Sequence, residues 1–287
     1  MKKIIILILS IVLFTSCVID KSKIKEAPEN SDTWVIINID WNEMKENISD
    51  SPRHQEWVEI DNNWKTIHAF VVYPENNEKS SAVIMIHENK WLTDWVRDMA
   101  DQVAAEGHIV VAPDLLSSYD SEKQRTSDFV TEDDATKALY SIDPEQTRSD
   151  LDAIAKYVST LDSYNWNLVS VGFCWGGSQA FWFANDNSSI KASLVFYWTA
   201  PKDGASYDNI KIPVYWFYAE NDERVNSTIE QTEKYMNERQ MTYEYEIYPW
   251  VWHAFMRNAQ SDDADVISKE SRSKAFERMK SILEQYK

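Results

Sequence analysis

Positive charge is scarce in this chain and never gathered: 29 Lys and Arg stand against 47 Asp and Glu, a formal net charge of −18. Phosphate backbones are held by clustered Lys and Arg, so the composition excludes a nucleic-acid partner. The acidity serves solubility or repels anionic surfaces. Cysteine is almost absent, with only Cys17 and Cys174. Histidine is nearly as rare. His87 beside Glu88 invites a metal reading, yet His54, His68 and His108 stand at no ligand spacing from it, and no metal site is expected. There is no internal repeat and no low-complexity block. Glycine is scarce too for a chain of 287 residues: there are five, and three of them fall between Gly172 and Gly177.

That cluster is the most informative feature present. Gly172-Phe173-Cys174-Trp175-Gly176-Gly177 follows the apolar run Asn167 to Val171. Glycine permits close approaches and backbone conformations that a Cβ forbids, so a G-x-C-x-G-G turn between strand and helix can hold its central residue on a sharp corner. The pattern is a nucleophile elbow with a thiol in place of the usual hydroxyl, and Ser178 to Ala184 reads as the helix behind it.

The amino terminus follows the secretory plan: Lys2 and Lys3, the apolar run Ile4 to Phe14, then small residues before Cys17. The run is too short to span a bilayer as a mature helix. Leu13 to Cys17 resembles a bacterial lipobox, which predicts a lipoprotein signal peptide over 1–16, a lipid on Cys17 that anchors the chain to a membrane, and a cell-envelope location, periplasmic or outer-membrane-associated. Plain secretion with cleavage nearby is the alternative. Lipidation would leave Cys174 without a disulfide partner. Residues 17–50, polar and without a sustained period, read as a tether. The folded unit is expected over 51–287.

Within it strands and helices alternate. Strands are expected at Trp57 to Ile60, Ile67 to Tyr73, Ala82 to His87, Ile109 to Ala112, Leu168 to Gly172, Ser193 to Trp198, Val214 to Ala219 and Tyr243 to Tyr248. Several are continuous apolar runs, as in a parallel sheet covered on both faces. Helices are expected at Thr93 to Glu106, Asp143 to Leu161, Asn226 to Asn237 and Ile267 to Tyr286. The fold class is α/β: a doubly wound, mostly parallel sheet with helices on both faces and the first two strands antiparallel at one edge.

An elbow predicts its partners by chain order, an acid after a later strand and then a histidine near the end. Asp222 follows the run Val214 to Ala219, and His253 is the only histidine beyond Cys174. A free thiol, with a pKa near ~8.5, is mostly protonated at neutral pH and needs such neighbours. His253 would hold or remove the thiol proton, and Asp222 would fix the ring's tautomer.

At this point the chain resembles the dienelactone hydrolase family, over nearly all of Ser51 to Lys287. The matching segments are Val83 to Glu88, Glu106 to Leu115, Val171 to Gly177, Asn221 to Val225 and His253 to Arg257. The resemblance implies an α/β-hydrolase fold with Cys174, Asp222 and His253 as triad. It makes Glu88 the carboxylate that takes the thiol proton when substrate arrives. It places the oxyanion hole at the backbone N–H groups of Asn89 and Trp175, and puts Arg257 on a substrate carboxylate. The chain departs from the family at Asn89-Lys90-Trp91-Leu92, where an apolar, glycine-containing stretch is usual. For a second carboxylate-binding cation Arg125, Lys137 and Arg148 stay open. Trp91, Trp175, Trp250 and Trp252 are expected to wall an apolar pocket, and Asp114 to be a structural turn residue.

The expected activity is hydrolysis of an ester or lactone, its substrate a small molecule that can carry a carboxylate, through a thioester acyl-enzyme and without a cofactor. A cell-envelope binding protein on a retired hydrolase scaffold is the alternative, and a peptidase or acyltransferase on the same triad stays open.

Overall fold

The computed structural model describes residues 50–287. The signal peptide expected over 1–16, the lipid expected on Cys17 and all but the last residue of the tether expected over 17–50 lie outside the described residues.

Eight strands are described: β1 (Gln55–Asn62), β2 (Lys65–Val72), β3 (Ser80–Ile86), β4 (Ile109–Pro113), β5 (Tyr164–Phe173), β6 (Ile190–Phe196), β7 (Val214–Ala219) and β8 (Tyr243–Tyr248). They form one sheet in the order β1-β2-β4-β3-β5-β6-β7-β8. The first two make an antiparallel hairpin in the register Asn62 to Lys65, turning through Asn63 and Trp64, and β2 runs antiparallel to β4. From β4 to β8 every pairing is parallel. All eight expected strands are present, within a few residues of their expected ends.

The helices are α1 (Asp94–Ala105), α2 (Glu132–Ser141), α3 (Pro144–Val158), α4 (Trp175–Asp186), the short α5 (Glu223–Asn226), α6 (Ile229–Glu238), the short α7 (Phe255–Asn258) and α8 (Val266–Glu284). Side chains alternate across a strand, so β3 feeds two cores. Ile84 and Ile86 join Leu139, Leu151, Ile154, Phe181 and Met236 from α2, α3, α4 and α6. Val83 and Met85 join Val96, Met99 and Val103 of α1 and Met279 and Ile282 of α8 on the opposite face. Every residue of β3 is buried, which explains why Ala82 to Ile86 is continuously apolar rather than alternating.

Local chemistry fixes the helix starts. Pro144 stands at the first turn of α3, where its missing N–H costs nothing, and the Asp143 side chain accepts from the Glu145 N–H. Asp265 and Thr131 cap α8 and α2 in the same way. The helix expected over Asn226 to Asn237 is divided: Asp222 caps the single turn α5, and a new helix starts at Ile229. The helix α2 has no counterpart among the sequence expectations. Among the described residues no helix is long and apolar enough to cross a membrane. The parallel strands all end at one edge, and the residues following β3, β5, β7 and β8 meet there, as ligand-binding residues do in open α/β sheets.

Candidate active site

Cys174 is the single residue between β5 and α4, and its backbone sits at φ 53°, ψ −119°. That is a conformation L-residues rarely hold, retained only where the surroundings over-determine it. The glycines do not carry this strain; they clear space for it. A Cβ on Gly172 would lie 2.0 Å from the Gly176 carbonyl oxygen, and one on Gly176 would lie 2.3 Å from the carbonyl oxygen of His87. The elbow therefore packs backbone on backbone against the end of β3. Five of the nine non-glycine residues with positive φ among the described residues cluster at this edge: Trp91, Cys174, Tyr197, Trp250 and Ala254.

The acid and the histidine predicted by chain order converge on the sulfur. Asp222 is buried and caps α5 through Oδ1, which accepts from the Val225 N–H at 3.3 Å. Its Oδ2 lies 2.6 Å from His253 Nδ1. The other ring nitrogen, Nε2, lies 3.1 Å from Cys174 Sγ. Tyr197 packs edge-on to the imidazole with centroids 5.2 Å apart. Burial alone would lower the pKa of His253. The hydrogen bonds to Asp222 and Cys174, with their negative charge, outweigh it and push the ring up to about 9.

Glu88 follows β3 and is buried. Arg257 Nε donates to its Oε2 at 2.6 Å, and the Tyr197 hydroxyl donates to its Oε1 at 3.3 Å. The Glu88 main chain is also pinned. Its carbonyl accepts from His87 Nδ1 at 2.6 Å, while His87 Nε2 accepts from the Leu115 N–H at 3.2 Å. Burial holds the His87 ring neutral, and both its nitrogens serve the loop rather than a metal. In this rotamer the Cys174 sulfur faces His253, and Glu88 faces Arg257 and Tyr197.

Trp175 opens α4, so its N–H belongs to the first turn, which no carbonyl of the helix satisfies, at the positive end of the helix dipole. Asn89 is tied to α2: its carbonyl accepts from Thr136 Oγ1 at 3.2 Å, and its side chain donates to the Tyr140 hydroxyl at 3.5 Å. Lys90 pairs with Glu132 at 3.2 Å, a third strap between loop and helix.

Other expected residues lie elsewhere. Arg125 stacks over Trp57 near β1. Arg148 pairs with Glu145 and Asp186 and covers Trp182. Lys137 is exposed on α2. Asp114 accepts from Leu116 and Thr126 as a turn residue does. Of the four tryptophans expected to wall a pocket, Trp91 and Trp175 are buried, Trp175 stacked on His87, and Trp250 and Trp252 are exposed. Among the described residues no group of His, Cys, Asp or Glu is placed to hold a metal ion. Sequence reasoning missed Tyr197 and Thr136, whose roles depend on which loop each one meets.

The model of the dienelactone hydrolase family matches residues 67–287. A Saccharolobus solfataricus protein named "Putative carboxymethylenebutenolidase" is 27% identical over 260 residues, covering 78% of this chain and 95% of the relative. "Protein usf" of Aquifex pyrophilus is 25% identical over 221 residues, 73% of this chain and 90% of the relative. Among solved structures, a Klebsiella pneumoniae protein described as a putative dienelactone hydrolase superposes with a TM-score of 0.71 at 22% identity, over 82% of this chain and 99% of its own. A dienelactone hydrolase from Anabaena variabilis superposes with a TM-score of 0.59 at 14% identity, over 82% and 98%. Both structural likenesses speak to the fold, which is that of the α/β-hydrolases.

Proposed function

The chain belongs to the dienelactone hydrolase family and is a hydrolase of ester or lactone bonds, and from that premise we propose that Cys174 is its nucleophile, His253 its acid–base and Asp222 the group that orients the ring. The observation that carries this reading is the continuous contact Asp222 Oδ2, His253 Nδ1, His253 Nε2, Cys174 Sγ, at 2.6 and 3.1 Å. A histidine held up at about 9 is a strong enough base to take the thiol proton and, as imidazolium, to return it.

The sulfur attacks the substrate carbonyl carbon, forming the C–S bond and driving the carbonyl electrons onto oxygen. The N–H groups of Asn89 and Trp175 are proposed to receive that oxyanion; losing one such donor typically costs about 10² to 10³ in rate. On collapse the C–O bond breaks and the leaving oxygen takes the proton from His253 Nε2. Water then attacks the thioester as Nε2 removes its proton, the C–S bond breaks, and the thiolate faces the imidazolium again. Glu88 is the proposed relay for the thiol proton: as the sulfur turns from His253 on substrate binding, the carboxylate takes that proton and passes it to the His253 ring, which holds it until the leaving oxygen receives it. Arg257 and Tyr197 hold that carboxylate in place through their hydrogen bonds.

The test is direct. Cys174→Ala is expected to lower turnover of p-nitrophenyl acetate by at least about 10³-fold with an unchanged circular dichroism spectrum. Wild-type protein quenched in acid during turnover should carry an acetyl group on the peptide containing Cys174. Retained activity in the variant would remove the proposal. A binding protein on a retired scaffold gives neither signal. Lipidation of Cys17 is a separate proposal resting on residues 1–17 alone: a palmitate label should enter the full chain and fail to enter Cys17→Ala.

A further inference from the structure

A cavity of about 520 Å³ opens beside the elbow, lined among others by Ser178, Phe181, Trp182, Thr199, Lys202 and Arg224, with no Asp or Glu in its wall. Its size suits a small ligand. Three of its walls rise from the elements that carry the reactive groups. Ser178 stands four residues beyond Cys174 on α4, about 6 Å along the helix axis. Arg224 is two residues past Asp222, and Thr199 two past Tyr197. Tyr140, bonded to Asn89, lies within electrostatic reach of both Cys174 and Arg224, so the cavity and the sulfur share one neighbourhood.

Arg224 spreads its guanidinium over the Trp198 ring at 5.3 Å. Among the described residues neither it nor the Lys202 side chain forms an ion pair, in a chain whose formal charge is −18. The loop holding Lys202 is fixed through its carbonyl, which accepts from Gln231 and Tyr235. The adjacent Asp203 spends its carboxylate on the Ser206 N–H at 3.0 Å and hydroxyl at 2.8 Å instead of on Lys202. Two unneutralised cations, hydroxyls at Ser178 and Thr199, and apolar surface from Phe181 and Trp182 therefore face one space.

We propose that this cavity is an anion subsite, in which Arg224 and Lys202 hold the carboxylate or phosphate of an amphipathic ester whose apolar part rests on Phe181 and Trp182. The inference rests on the reading that Cys174 is the nucleophile, and it makes the preferred substrate an anionic ester. The specificity residue is Arg224, apart from Arg257, whose Nε is committed to Glu88. The hydrolysis product carrying the anion remains a ligand of the same subsite.

Calorimetric titration of the full chain with 3-phenylpropionate, phenyl phosphate and the neutral 3-phenylpropionamide tests the subsite without turnover. At least one anion should bind about tenfold or more tighter than the amide, and the tighter anion names the headgroup. That advantage should vanish in Arg224→Gln and shrink in Lys202→Gln. Equal binding of acid and amide, no binding of any probe, or an advantage untouched by Arg224→Gln each overturns the proposal. In parallel, the ratio of kcat/KM for p-nitrophenyl hemiglutarate over p-nitrophenyl butyrate should fall about tenfold in Arg224→Gln. Loss of all ester turnover in wild type would sink the nucleophile reading, whereas turnover with a ratio unmoved by Arg224→Gln would sink the subsite alone.

Discussion

Arg257 Nε donates to Glu88 Oε2 across 2.6 Å, joining the loop after β3 to the short helix α7 beyond β8. The carboxylate is only 4% exposed and the guanidinium 31%, so the pair is half-shielded and its loss leaves a charge in a poor solvent. Arg257→Gln is expected to cost about 1–3 kcal/mol in urea unfolding. Adding Glu88→Gln should restore part of that, because the stranded charge is then gone. An additive double variant would show that the two groups do not interact.

The His253 pKa gives stability a pH dependence of defined sign. The folded ring titrates at about 9 against an ordinary 6.5, so its pairing stabilises fully below 6.5 and the contribution fades as pH rises through about 9. Solvent reaches 32% of the side chain, which trims the effect to about 1–2 kcal/mol at pH 6. Asp222→Asn keeps the shape and removes the charge. The stability gap between wild type and this variant should be widest near pH 6 and narrow toward pH 10; a constant gap would remove the ionic account.

Gly176 and Gly204 should respond to an added methyl group to very different degrees. At Gly176 the new Cβ meets main-chain oxygens of His87 and Ile86 at 2.3 and 2.4 Å, which can only be relieved by moving β3 or α4. At Gly204 it meets the Tyr235 ring edge at 3.1 Å, a side chain able to yield. Gly176→Ala should lose about 3 kcal/mol or fail to fold, and Gly204→Ala should change stability by less than about 1 kcal/mol. Differential scanning calorimetry of both variants decides it.

Thr136 is a positioning residue, since it reaches Asn89 and not the reacting atoms. Removing its hydroxyl frees the Asn89 carbonyl, and with it the orientation of the N–H proposed for the oxyanion. Thr136→Val should lower kcat about five- to tenfold with KM little changed. Thr136→Ser should restore the wild-type rate. Equal losses in both variants would point to packing instead of the hydrogen bond.

Much of the fold was legible because a strand covered on both faces must be apolar throughout. Ala82 to Ile86 and Val214 to Ala219 announce themselves without any partner in view. The helix α2 was not legible: it buries only Ala135, Ala138 and Leu139, and the rest of its turns are polar, so no stripe emerges. Tyr197 was hidden for the opposite reason. It continues the apolar run Ser193 to Trp198, yet β6 stops at Phe196 and the next residue turns at φ 38° toward His253 and Glu88. Arg257 was placed on a substrate carboxylate by resemblance, and its Nε lies on Glu88.

By itself the order of residues determined the sheet, the elbow and the identity of the three groups that meet at its edge. Each of these follows from short-range physics: side-chain periodicity, the space a glycine leaves, and the succession of strand ends along the chain. Only the tertiary structure decided that the sulfur faces His253, that Arg257 holds Glu88, and that Arg224 and Lys202 open on one cavity. Those pairings join residues brought together by the order of strands in the sheet, and a contact across strand ends leaves no local pattern in the sequence.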